Sequence, residues 1–160
     1  MVNIALVGCN GKMGKAVTSA VQSRNDCEIV FGADPFGTPA YDYPVFESLA
    51  VSDKKADVII DFSNPASLDD ILAYALEKKI PCVLCTTGYS PEQVEKIKKA
   101  SESVAVFYSG NMSLGINLLI ELSKEAAKIL SAADFDIEIV EKHHNQKIDA
   151  PSGTALMIAD

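Results

Sequence analysis

The sequence predicts an α/β fold: a doubly wound parallel sheet, followed by the first elements of a second, α+β unit. Three observations predict it. Short β-rich apolar runs alternate with longer amphipathic stretches, the pattern of parallel strands joined by helical crossovers. Those runs are apolar throughout rather than on alternate residues, as in strands covered by helices on both faces. After Ser109 the pattern changes, and a long amphipathic stretch precedes a segment of alternating polarity, DFDIEIVE.

The elements follow in order. VNIALV is the first strand, and a helix runs from Lys12 to Arg24. EIVFGA is the second strand. The Pro-, Gly- and Tyr-rich segment from Asp34 to Glu47 reads as a loop with freedom to move. ADVIIDF is the third strand, with Ser63-Asn64-Pro65 punctuating the start of a helix over Ala66 to Lys79. PCVLC is the fourth strand. Ser90 then stands at an N-cap with Pro91 in the first turn of a helix reaching Ser101, and VAVFY is the fifth strand. Beyond the change of character, Gly115 to Leu130 reads as one amphipathic helix and Phe135 to Glu141 as a strand with one wet face, suited to an antiparallel or mixed sheet. A polar stretch, KHHNQKIDAPSGTA, leads into a helix opening at Ser152. The boundary therefore falls near residue 115, giving a domain over 1–115 and the beginning of another over 116–160.

At 160 residues, 48% of them hydrophobic, the chain holds one complete domain with an ordinary core, and not two. Its net charge of -8 disfavours a nucleic-acid surface, which needs Lys and Arg in excess on one face. No apolar run approaches the roughly 20 residues that span a bilayer, and no basic segment leads into a signal sequence, so a cytoplasmic protein with no membrane partner is expected. Cys9, Cys27, Cys82 and Cys85 lie in apolar or loop contexts and read as reduced core thiols. Cys82 and Cys85 have redox-motif spacing, but residues three apart on a strand point to opposite faces.

The first chemical feature is Gly8-Cys-Asn-Gly11-Lys12-Met13-Gly14, between the first strand and its helix. Glycines there let the backbone turn tightly, approach a pyrophosphate and pack helix against strand, while the helix N-terminus attracts phosphate. The spacing is GxxGxxG rather than the commoner GxGxxG. Asp34, about 20 residues beyond Gly14 at the end of the second strand, stands where an acid accepts hydrogen bonds from a ribose. Strand, loop, helix, strand and acid together indicate a Rossmann-like nicotinamide-dinucleotide site. The acid favours NADH over NADPH, and Lys12 argues the other way as a partner for a 2′-phosphate.

Three loops after later strands open on the same side: Asp61-Phe62-Ser63, Cys85-Thr86-Thr87-Gly88 and Ser109-Gly110-Asn111-Met112. Their small and hydroxyl residues suit a nicotinamide border, although Thr and Ser are also ordinary caps and turns. The third feature gathers both histidines and a lysine, His143, His144 and Lys147, just before Ser152-Gly153-Thr154 at a helix start. Cations, proton donors, hydroxyls and helix N–H groups together suit a carboxylate-bearing ligand. Adjacent histidines lack the i,i+4 geometry of a helical metal site, so no metal is expected.

These strings, GCNGKMG, CTTG, SGNMSLGIN and HHNQKIDAPSGTA, resemble the dihydrodipicolinate reductase family over the whole chain. The resemblance implies NAD(P)H-dependent reduction of a small cyclic dicarboxylate, dihydrodipicolinate or its hydrated form, to tetrahydrodipicolinate in the diaminopimelate route to lysine, with hydride delivered to C4 of the ring. It implies that His143 is catalytic, that Lys147 is the proton donor, and that His144, Gly153 and Thr154 contact substrate; Ser152 and Thr87 join them. On the cofactor side it implies Gly8, Gly11, Lys12, Met13 and Gly14 for the pyrophosphate, Asp34 for the ribose, and Cys85, Thr86, Thr87 and Ser109 to Met112 (Gly110 and Asn111 included) beside the nicotinamide. It further implies a longer polypeptide whose substrate-binding domain completes a sheet and builds a homotetramer. Cys85 stands where many members have glycine, and Pro35 where some have an arginine that would hold a 2′-phosphate. Two other readings are a noncatalytic dinucleotide-binding or redox-sensing module, and another aspartate-pathway dehydrogenase, which leaves HHNQKIDAPSGTA unexplained.

Overall fold

The computed structural model describes residues 1–36, 41–145 and 150–160. The chain forms two compact units, Met1–Ser109 and Gly110–Asp160. The first is built on six parallel strands, β1 (Val2–Val7), β2 (Cys27–Ala33), β3 (Val45–Phe46), β4 (Val58–Asp61), β5 (Cys82–Leu84) and β6 (Val106–Tyr108). Their order in the sheet is β3-β2-β1-β4-β5-β6. The chain winds outward from β1 to β3, then returns to β4 on the other side of β1. Such a reversal leaves a crevice over the carboxyl ends of β1 and β4, where ligands of open α/β sheets bind.

The uniformly apolar strands are explained by two separate cores. Ala5 and Val7 of β1 and Ile59 of β4 join one cluster, while Ile4 and Leu6 of β1, with Val58 and Ile60 of β4, belong to the other. Alternate residues thus feed opposite faces, and both faces are covered. One cover is α1 (Lys12–Gln22), which contributes Val17 and Val21; the other is α2 (Leu68–Lys78) with α3 (Pro91–Ser101), through Leu68, Ile71 and Ile97. Phe31, Leu6, Ile59 and Leu84 are wholly buried, each stabilising the fold by about 1.5–3 kcal/mol. The cap predicted for α3 is present in full: Ser90 Oγ accepts from Gln93 N–H, and the Gln93 side chain accepts from Ser90 N–H.

Within the Pro/Gly/Tyr segment of 34–47, described at 34–36 and 41–47, residues 41–47 are not a loose loop. Val45–Phe46 pairs with Gly32–Ala33 as the edge strand β3, Tyr41 and Tyr43 stack with centroids 4.8 Å apart, and the Tyr41 hydroxyl donates to the Cys9 carbonyl at 2.9 Å. Tyr43 hydrogen-bonds Thr18 of α1 across 2.7 Å. Two aromatic anchors override the Pro and Gly content.

The second unit contains α4 (Leu114–Ser131) and α5 (Gly153–Ala159). The strand expected over 135–141 is not formed. Asp134 takes a left-handed conformation, φ 59°, and Phe135 N–H returns to the Leu130 carbonyl at 3.1 Å, closing the end of α4. A strand exists only by pairing, and among the described residues none pairs with this segment. Phe135, Ile137, Ile139 and Val140 are all exposed. No described helix is long and apolar enough to cross a membrane.

Candidate functional site

The glycine loop is built to keep backbone close to backbone. Gly8 has φ 75°, and a Cβ there would lie 2.6 Å from the Phe62 carbonyl oxygen. At Gly14 a Cβ would lie 2.3 Å from the Gly8 oxygen, so the first turn of α1 rests directly on the end of β1. Gly11 is the N-cap and brings no side chain to the first-turn amides, and that turn carries no acid. The positive end of α1 is thereby left to an anion. Lys12 and Met13 lie on that turn with exposed side chains.

Asp34 follows β2 and is joined to the glycine loop. Its carboxylate accepts from Asn10 N–H at 3.0 Å and from Phe36 N–H at 2.9 Å, and the Asn10 side chain donates in turn to the Phe36 carbonyl. Gly8, Gly11 and Asp34 share a cleft of about 590 Å³ at the carboxyl ends of β1, β2 and β4, bordered also by Phe62 and Ser63, with Glu47 and Asp70 as further acids. Space, an open helix N-terminus, a cradle that any Cβ would fill and an acid at the far rim fit a dinucleotide.

The loop after β4 is fixed by a buried carboxylate. Asp61 is wholly inaccessible; it accepts from Ser63 N–H at 2.9 Å, from the Ser63 hydroxyl, and from the Tyr89 hydroxyl at 3.2 Å. The loops after β4 and β5 are thus tied through one side chain. The Tyr89 ring also meets Tyr108 at the end of β6. Thr86 is buried and Thr87 exposed; Thr86 Oγ1 has no partner of hydrogen-bonding geometry among the described residues. Burial and the neighbouring Asp61 carboxylate push the Cys82 and Cys85 thiols up to about 11, and burial with Asp34 does the same to Cys9. All four cysteines are free. Raised thiol pKa values leave little thiolate at neutral pH, which speaks against redox chemistry there.

In the second unit, Asn111 donates from its amide to Thr154 Oγ1 at 2.9 Å. A residue expected beside the nicotinamide therefore touches one expected to hold substrate. Ser152 caps α5, its Oγ accepting from Ala155 N–H at 3.0 Å, and Gly153 and Thr154 form the first turn. Glu141 reaches the same point: Oε1 accepts Ser152 N–H at 2.8 Å, Oε2 accepts the Ser152 hydroxyl, and Oε2 stands 3.6 Å from His143 Nδ1. His143 and His144 are both exposed, and Lys147 lies outside the described residues.

Sequence reasoning passed over Tyr89, and it named Asn10, Asp61 and Glu141 within motifs without giving any of them a role of its own. Each had a faint signal. Asp61 is an acid at the end of an apolar strand, which demands a partner, and Glu141 is the polar residue on which an alternating run breaks off before two histidines.

The description "Dihydrodipicolinate reductase, N-terminus" matches residues 2–112, and "Dihydrodipicolinate reductase, C-terminus" matches residues 115–160. The 4-hydroxy-tetrahydrodipicolinate reductase of Clostridium tetani is 53% identical over 160 residues, covering all of this chain and 62% of that protein. The enzyme of the same name from Caldanaerobacter subterraneus subsp. tengcongensis is 50% identical, with the same coverage of this chain and of that protein. A dipicolinate-bound dihydrodipicolinate reductase from Paenisporosarcina sp. TG-14 superposes with a TM-score of 0.75 at 30% identity, over 99% of this chain and 64% of that one. An NAD+-bound oxidoreductase from Agrobacterium radiobacter, 14% identical with a TM-score of 0.61, shares the fold. The chain spans about 62% of the length of these two curated relatives. With both halves matched in order and about half of all residues identical to those relatives, the chain belongs to the dihydrodipicolinate reductase family.

Proposed function

We propose that this protein catalyses the NAD(P)H-dependent reduction of 4-hydroxy-tetrahydrodipicolinate, with release of its hydroxyl as water, or of the dehydrated form directly, to tetrahydrodipicolinate in lysine biosynthesis. The observation that carries the reading is the signature region, where Glu141 joins the Ser152-Gly153-Thr154 helix start to His143 in one unit. Residues 1–115 are the cofactor domain in this reading, and 116–160 begin the substrate-binding domain. In this reading the homotetramer belongs to the longer polypeptide that completes the second sheet, and the compartment is the cytoplasm.

Gly8, Gly11, Lys12, Met13 and Gly14 hold the pyrophosphate, Asp34 the ribose, and residues 85–87 and 109–112 border the nicotinamide. When bound, the dinucleotide supplies the hydride. The protein's own residues do the rest. The first-turn amides and hydroxyls of Ser152 and Thr154, with Thr87 and His144, bind the carboxylates of a cyclic dicarboxylate, since N–H groups at a helix start favour an anion. Hydride addition to a conjugated imine leaves negative charge on the ring, which a proton must neutralise; His143 and Lys147 supply it.

Freshly generated dihydrodipicolinate is expected to drive the loss of NADH absorbance. Calorimetry is expected to show pyridine-2,6-dicarboxylate binding more tightly with NADH present than without. A protein that binds NADH but ignores both compounds is a dinucleotide-binding module, and the reading fails.

The cofactor choice rests on Asp34. With Glu47 and Asp70 in the same cleft and Pro35 instead of a cation, a 2′-phosphate meets negative charge, so NADH is preferred. Asp34→Asn is expected to weaken NADH by about 10- to 150-fold, the scale of one charged hydrogen bond of about 1.5–3 kcal/mol, and not to weaken NADPH. The ratio of kcat/KM for the two cofactors reads this out, and an unchanged ratio removes Asp34 from the selection.

A further inference from the structure

Among the described residues of the second unit, Glu141 links two of the groups already given roles, Ser152 and His143. Its carboxylate is engaged on both oxygens by one residue: Ser152 N–H on Oε1 at 2.8 Å, and the Ser152 hydroxyl on Oε2. Ser152 Oγ is itself held by Ala155 N–H at 3.0 Å. The carboxylate is therefore fixed by the start of α5, and Oε2 still faces His143 Nδ1 across 3.6 Å. A carboxylate oxygen only accepts hydrogen bonds, so it favours the imidazole form that carries its proton on the nitrogen beside it.

We infer that Glu141 is a positioning residue that holds His143 as the Nδ1–H tautomer, with Nε2 directed away from the carboxylate to meet substrate, and that ties the imidazole to the helix start bearing Gly153 and Thr154. This rests on the proposed reductase function, because only there does the orientation of His143 matter for turnover. Neutral imidazole in water prefers the Nε2–H form, and a fixed acceptor beside Nδ1 reverses that preference and sets the ring's direction. The bidentate clamp from Ser152 also explains a serine at the cap: its hydroxyl serves the helix as acceptor and the carboxylate as donor at once.

Ring-15N histidine labelling tests it directly, because the chain has two histidines and a His144→Gln spectrum assigns them. At a pH where the ring is neutral, wild-type His143 is expected to give a pyrrole-type shift at Nδ1 and a pyridine-type shift at Nε2. In Glu141→Gln an amide NH2 replaces one of the acceptors, and His143 is expected to revert to Nε2–H, with kcat lowered about 10²-fold, the cost of a misplaced group, and KM for NADH unchanged. Ser152→Ala is expected to give a weaker reversal in the same direction. The wild-type spectrum needs no variant to fold: Nε2–H in the wild type overturns the inference, as does Nδ1–H persisting in folded Glu141→Gln. If the wild type shows the Nδ1–H form but no reductase turnover, the functional reading has failed and the geometry stands.

Discussion

Replacing His143 and Lys147 together with alanine is expected to lower turnover by on the order of 10³-fold or more while leaving NADH affinity within error of the wild type. One positioned proton donor contributes about 10²–10⁴-fold, and two groups that act on one proton transfer are not additive. The double variant is therefore expected to fall little further than the worse single one. The separation of effects follows from the fold. The glycine loop and Asp34 belong to the unit Met1–Ser109, and His143 belongs to the unit Gly110–Asp160. His143 has an exposed side chain and no place in either apolar core, so its loss opens no cavity. Steady-state kinetics beside an NADH titration makes the comparison. A double variant with wild-type turnover removes both residues from the chemistry.

Much of the first unit was legible because its signals are local. Alternation of apolar runs with amphipathic stretches located five of the six strands and α1 to α3. The Ser90-Pro91 pair fixed the start of α3, because capping chemistry is written into neighbouring residues. The missed strand β3 has two residues, too short for a periodic signal, and it forms because Tyr41 and Tyr43 anchor its approach. The expected strand over 135–141 failed for the opposite reason: its alternation is clear, but pairing is a non-local property that period alone does not supply. Alternation in DFDIEIVE therefore reports a capacity to pair, which the described residues leave unmet.

The candidate residues divide the same way. Gly8, Gly14 and Asp34 were readable because their spacing serves one backbone turn and one strand end. Besides the near neighbours Ser63 and His143, Asp61, Tyr89 and Glu141 are tied to partners 11 to 28 residues away, and no spacing rule covers those distant ties. What the sequence offered instead was chemical type, an acid where burial or a neighbouring imidazole gives it work. The raised thiols of Cys82 and Cys85 illustrate the converse, a spacing that mimics a redox pair in a place where burial and a carboxylate suppress thiolate.

Gly14→Ala is expected to abolish measurable NADH binding and to lower the thermal midpoint by several degrees. The added methyl would stand 2.3 Å from the Gly8 oxygen and 2.6 Å from both Cα and O of Cys9. Every one of these atoms is backbone, so no rotamer change relieves the overlap, and α1 must move away from the end of β1. Overpacking of this kind costs about 1–3 kcal/mol, and the displaced helix carries with it the first-turn amides to which the proposed function assigns the pyrophosphate. Gly115→Ala is the matched control. Its new methyl meets only the Ser113 hydroxyl at 3.8 Å, and it lies in the first turn of α4, where alanine loses less backbone entropy than glycine, so stability is expected to hold or rise. Gly11→Ala falls between them, with a single neighbour, the Gly8 oxygen, at 3.3 Å. It is expected to fold normally and to lose affinity, because Gly11 lines the cleft and a methyl there takes up space at its wall. Thermal unfolding and NADH titration of the three variants therefore separate a glycine needed for packing from one needed for approach. If Gly14→Ala binds NADH and unfolds as the wild type does, the close contact between α1 and β1 is not what shapes the site.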